Sequence, residues 1–143
     1  DALAHGATLL TGGKCLQPAG TTGQTFYAPT VLGNASRAML LAHEETFGPV
    51  VALFPFDDEE QVIELANDTP FGLASYFYAG NLARVWRVAD RLESGIVGIN
   101  EGALAAEAAP FGGIKESGYG REGSRYGLED YMHTKYLCMG GIK

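Results

Sequence analysis

Three groups of residues in this sequence have types and spacings that could do chemistry. Gly118-Tyr-Gly-Arg-Glu-Gly123 spells G-x-G-x-x-G, the pattern whose backbone cradles a pyrophosphate at a helix N-terminus. Glu44-Glu-Thr-Phe-Gly-Pro-Val50 sets a carboxylate, Glu45, two positions from a ring, Phe47. On an extended chain these two project to the same side. A carboxylate beside an aromatic face suits a sugar with neighbouring hydroxyls joined to a flat heterocycle. Taken as residues alone, Glu44 and Glu45 are more often solvated. The third group is thiols: Cys15 follows Gly12-Gly-Lys14, where an ammonium favours thiolate, although a loop cysteine beside one lysine is usually inert. Cys138 lies in an apolar terminal run and reads as buried or interfacial. His5, His43 and His133 are isolated, and neither H-E-x-x-H nor C-x-x-C occurs, so neither a zinc site nor a disulfide framework is expected.

These residues need elements to position them. The chain has 143 residues, 46% of them hydrophobic and 19% charged, enough for one globular core. A net charge of -7 offers no broad positive field, which argues against nucleic acid and anionic membranes as main partners. No apolar run reaches the roughly 18 residues of a spanning helix, and the start carries no basic or apolar leader, so a cytoplasmic protein is expected. The first residue is Asp1 rather than Met, from which we expect that residues precede it.

Ala2–Gly6 reads as the end of a helix closed by Gly6, Ala7–Thr11 as a short strand, Gly12-Gly13 as a turn and Gln17–Gln24 as a loop. Val50–Phe56 is a continuous apolar run, a strand that Pro55 confines to an edge or an end. Asp57 or Asp58 caps a helix through Asn67 with Val62, Leu65 and Ala66 on one stripe. The acidic run Asp57–Glu60 complements that helix's dipole and is not read as a metal site. Ser75–Tyr78 is a second strand and Asn81–Glu93 a second helix, with Leu82, Val85, Trp86, Ala89 and Leu92 at helical spacing. Arg84, Arg87 and Arg91 lie off that stripe, on a solvated face. Ile96–Ile99 is a third strand, Tyr126–Tyr131 a further helix and Lys135–Met139 a last strand without a following helix. The fold class is therefore α/β with parallel strand-helix repeats, and the last strand pairs outside the main sheet or with another chain.

That order decides the glycine motif. A dinucleotide fingerprint needs its glycines directly after a strand, whereas the preceding strand ends near Asn100, roughly eighteen residues before Gly118. The match is read as chance, inside a loop whose glycines permit tight turns.

Glu44-Glu-Thr-Phe-Gly-Pro-Val50, then Gly98-Ile-Asn100, then Pro110-Phe-Gly-Gly-Ile-Lys-Glu-Ser-Gly118 through Gly123 closely resemble, in order and spacing, the C-terminal third of an aldehyde dehydrogenase. Gly118–Tyr131 and Lys135–Gly140 look most like the succinate-semialdehyde dehydrogenase branch. The resemblance implies that residues 1–134 are part of a catalytic domain and 135–143 an oligomerisation strand joining a homo-oligomer. It implies that Glu45 binds the nicotinamide ribose of NAD or NADP, that Phe47 packs near the nicotinamide, that Phe111 lines the substrate tunnel and that Ala105 faces the tail of a small aldehyde.

In that family a cysteine thiolate attacks the aldehyde, an oxyanion hole steadies the adduct, hydride passes to the nicotinamide and a glutamate activates water. Neither Cys15 nor Cys138 sits in the nucleophile's motif, so no catalytic residue is assigned here and this stretch alone is expected to be inactive. Ala105 stands where the branch often has a serine that helps hold the substrate carboxylate, which opens the substrate to another semialdehyde or a less polar aldehyde. The alternative reading is a non-catalytic dimerisation module of the same ancestry.

Overall fold

The computed structural model describes residues 1–23 and 25–142; Gln24, the end of the expected first loop, lies outside them. The chain forms two compact units, Asp1–Val62 and the part from Ile63 onward.

In the first unit β1 (Thr8–Thr11), β2 (Cys15–Leu16), β3 (Phe26–Tyr27), β4 (Thr30–Gly33) and β5 (Val50–Ala52) follow one another. The order in the main sheet is β1-β4-β5, with β1 antiparallel and β5 parallel to β4, while β2 and β3 form a small antiparallel pair. Ala7, Ala35 and Met39 form the core, with Ala2, Leu41, Ala52 and Phe54 against it. Thr30 is buried, and its hydroxyl is satisfied twice: it donates to Ala28 O at 2.8 Å and accepts from Gly13 N–H at 2.8 Å. That pair lets a polar side chain sit inside β4 at little desolvation cost.

Helix α1 (Glu59–Asn67) begins as its sequence demands: Asp58 Oδ1 accepts the Gln61 N–H at 2.9 Å, and Gln61 Oε1 accepts the Asp57 N–H. This is a capping box that reaches back one residue further than usual. In the second unit β6 (Ala74–Phe77), α2 (Leu82–Arg91) and β7 (Ile96–Ile99) follow, and β6 and β7 pair in parallel, with Ala74 opposite Ile96. Asn81 caps α2 by accepting the Arg84 N–H at 2.9 Å. Gly95 leads into β7 so close to the Gly112 carbonyl that a Cβ would overlap it; only glycine fits there.

Several expectations are corrected. Ala2–Gly6 makes hydrogen-bonded turns, not a helix. β5 lies at the edge of its sheet among the described residues but stops at Ala52, so Pro55 falls outside it, and Val51, Leu53 and Phe56 are exposed. On α1 the buried side chain is Ile63, not the Val62-Leu65-Ala66 stripe. On α2 it is Val88, while Leu82 and Trp86 are 70% and 71% exposed. Tyr126–Tyr131 is a 3₁₀ helix, and Lys135–Met139 forms no strand, because no described segment of this chain supplies a ladder for it. The parallel repeats fall in separate small sheets rather than one.

Candidate functional site

The Glu44–Pro49 stretch joins a 3₁₀ turn at Leu40–Ala42 to β5. At its start the N–H groups of His43 and Glu44 both donate to Leu40 O, at 2.9 and 2.8 Å. At its end Pro49 O accepts the Thr30 N–H at 2.8 Å, fastening the loop to β4. Between these anchors Gly48 N–H donates to Thr46 O at 2.9 Å and Val50 N–H to Gly48 O at 2.8 Å. These are two γ-turns, centred on Phe47 and Pro49. The loop is therefore folded at Phe47 rather than extended, and the strand argument for a shared side does not hold. Both residues face solvent, with the Phe47 ring 95% exposed on a stretch whose two ends are fixed.

The other two predicted residues lie in the second unit. Phe111 and Glu122 exchange both backbone hydrogen bonds, at 2.9 and 2.7 Å, an isolated antiparallel bridge. The bridge closes the glycine-rich loop into a ring. Phe111, Ser117, Tyr119, Arg121, Asp130 and Tyr131 are among the residues lining a cleft of about 480 Å³ there. Arg121 Nη1 donates to the carbonyls of Gly113 and Gly120, at 2.8 and 2.6 Å, and so braces the ring from within. Ala105 is exposed on the loop between β7 and Pro110, whose far end is tied to the same ring where Ser124 N–H donates to Glu107 O at 2.8 Å. The structure thus joins Ala105 and Phe111 to one framework.

Several backbone donors of the glycine-rich stretch are already engaged. The N–H groups of Phe111, Ile114, Glu116, Ser117 and Glu122 are spent on Glu122, Gly72, Pro70, Ile114 and Phe111 carbonyls, so those donors do not converge on an open site. The element directly before Gly118 is a 3₁₀ turn, Lys115–Ser117, and not the strand that a dinucleotide fingerprint needs.

Two residues were not singled out for their own chemistry. Asn100 lies just past β7 with φ 56°; its Oδ1 accepts the Ala79 N–H and its Nδ2 donates to Ala79 O, both at 2.9 Å. Glu101 Oε1 accepts the N–H groups of Gly102 and Ala103, at 2.8 and 3.0 Å. Those two bonds hold the Glu101 carboxyl below its ordinary pKa, the Ala103 bond contributing most. An asparagine directly after an apolar strand was the signal available. Among the described residues no group of three or more His, Cys, Asp or Glu could hold a metal, and no helix is long and apolar enough to cross a membrane.

The model of the aldehyde dehydrogenase family matches residues 1–137. Over 99% of its length the chain is 58% identical to a probable NADP-dependent succinate-semialdehyde dehydrogenase of Sinorhizobium fredii and 56% identical to a glutarate-semialdehyde dehydrogenase of Pseudomonas aeruginosa. A 3-sulfolactaldehyde dehydrogenase of Pseudomonas putida is 55% identical over the same share. The crystal structure of succinate-semialdehyde dehydrogenase from Burkholderia pseudomallei superposes with a TM-score of 0.89 at 55% identity, covering 97% of this chain and 28% of that one. The chain spans 28 to 29% of the length of these three curated relatives.

Proposed function

This chain belongs to the aldehyde dehydrogenase family, and from that membership we propose that it is the C-terminal part of the catalytic domain of an NAD(P)-dependent dehydrogenase. The substrate we propose is a small aldehyde with an anionic tail, succinate semialdehyde or a near relative, oxidised to its acid. One observation carries this reading: three relatives above half identity act on aldehydes that by name carry a carboxylate or sulfonate.

In this reading Glu45 accepts the two hydroxyl protons of the nicotinamide ribose, and the Phe47 ring packs beside the nicotinamide. Their exposure, on a loop pinned at Leu40 and Thr30, fits that task, since a ligand finds both surfaces available and ordered. The bound nicotinamide supplies the hydride acceptor. Phe111 lines the aldehyde's path, and Ala105 faces its tail with a methyl group where a hydroxyl would offer a hydrogen bond. The nucleophilic cysteine and the base that activates water belong to the remainder of a longer parent chain, so this stretch alone is inactive. Among the described residues Lys135–Met139 pairs with no strand, and Tyr136 and Leu137 are exposed, which supports pairing with a partner subunit.

Glu45→Gln in the full-length parent tests the cofactor role. The amide accepts fewer hydroxyl protons and carries no charge, so KM for NAD(P) rises and turnover falls, each by about ten-fold. Unchanged cofactor KM and turnover would remove Glu45 from the site.

A further inference from the structure

The end of β7 is a built corner. β6 and β7 finish together, Phe77 opposite Ile99, and Asn100 N–H donates to Phe77 O at 3.0 Å. Asn100 then leaves the sheet in the left-handed region, φ 56°, which asparagine tolerates better than most residues. Its side-chain amide continues the ladder that its backbone abandons, closing both bonds to Ala79.

On that fixed base the next carboxylate folds the loop. Glu101 Oε1 holds the N–H groups of Gly102 and Ala103 together, a local turn with a charged acceptor. Leu104 then packs back over β7: a methyl group added at Gly98 would lie 3.0 Å from Leu104 Cδ2 and 2.8 Å from Glu101 O. Leu104 is half-buried and Ala105, the next residue, is exposed. The turn at Glu101 thereby determines where Ala105 is presented.

We infer that Glu101 is a positioning residue for aldehyde selectivity: by gripping Gly102 and Ala103 from the Asn100 base, it sets the path of the loop that presents Ala105 to the aldehyde's tail. The inference rests on the reading of Ala105 as a tail-facing residue. Its sign is distinctive. Were Glu101 merely a negative charge near an anionic tail, removing it would improve the anionic substrate.

The test uses the full-length parent with succinate semialdehyde and butanal, an uncharged aldehyde of equal carbon count. In the Ala105→Ser parent, where residue 105 offers the tail carboxylate a hydroxyl, Glu101→Ala lowers kcat/KM for succinate semialdehyde about five-fold more than for butanal, through KM, with KM for NAD(P) unchanged. Glu101→Gln in the same parent keeps a carbonyl oxygen to accept the same two N–H groups and retains most of the Ala105→Ser ratio. An unchanged ratio in Glu101→Ala, a rise for the anionic aldehyde in both variants, or a glutamine variant no better than alanine overturns the inference. A wild-type parent that oxidises neither aldehyde overturns the functional reading instead, and this inference with it.

Discussion

The Lys115 ammonium lies 2.6 Å from Glu93 Oε2 and also donates to the carbonyls of Asn67 and Thr69, at 2.7 and 3.3 Å. Asn67 ends α1, so a cation is seated at the negative end of the helix dipole. Asn67 extends the knot: its Nδ2 donates to Arg91 O at 2.8 Å, and its Oδ1 accepts the Glu93 N–H at 2.8 Å. A lysine from the glycine-rich loop thus joins the ends of both helices.

The carbonyls contribute more to this knot than the ion pair, because Glu93 is more than half exposed and solvent screens it. Lys115→Met in the full-length parent therefore costs about 2 kcal/mol, while Glu93→Gln costs under about 1 kcal/mol. Urea titration of the two variants checks the order, and equal losses would contradict it.

Gly95 and Gly80 predict opposite responses to the same substitution. A Cβ at Gly95 overlaps the Gly112 carbonyl, whereas nothing lies within 4 Å of one at Gly80. Gly95→Ala costs about 3 kcal/mol or abolishes soluble expression, and Gly80→Ala changes stability by less than about 0.5 kcal/mol. Thermal midpoints of the two variants separate them.

Glu101 predicts a titration. Its folded-state pKa is lowered by the N–H groups of Ala103 and Gly102, so its contribution is present above the ordinary carboxylate range. It is lost as pH falls through the lowered folded value. Carbon-detected NMR should place the Glu101 midpoint below that of a solvated glutamate, with the Gly102 and Ala103 amides following it. A midpoint at the ordinary value would show that the carboxylate does not hold the turn.

Ala105 predicts a gain. In the parent, Ala105→Ser supplies a hydroxyl where the tail carboxylate is expected, raising kcat/KM for succinate semialdehyde about five-fold with butanal unchanged. Equal effects on both aldehydes would place residue 105 away from the tail.

Much of the fold was legible because local chemistry settled it. Asp58 and Asn81 announce helix starts through their caps, and apolar runs announce β6 and β7. The buried helix faces were not legible. Ile63 and Val88 are the buried side chains, and only tertiary packing, which the helical spacing does not encode, decides which part of an apolar stripe is covered. Lys135–Met139 looks like a strand in sequence, yet strand propensity without a ladder leaves backbone groups unpaired. At the candidate site, motif spacing singled out Glu45 and Phe47, and the family resemblance added Phe111. It missed the γ-turn at Phe47 and the Glu101 turn, since both arise from hydrogen bonds that many sequences could make.

The central claim is that this chain is part of an enzyme that oxidises an anionic aldehyde. The most direct measurement is the absorbance of reduced nicotinamide when the full-length parent is mixed with succinate semialdehyde and NAD or NADP. The account predicts aldehyde-dependent reduction of at least one cofactor, with kcat/KM for succinate semialdehyde above that for butanal. No reduction with either aldehyde and either cofactor would contradict it.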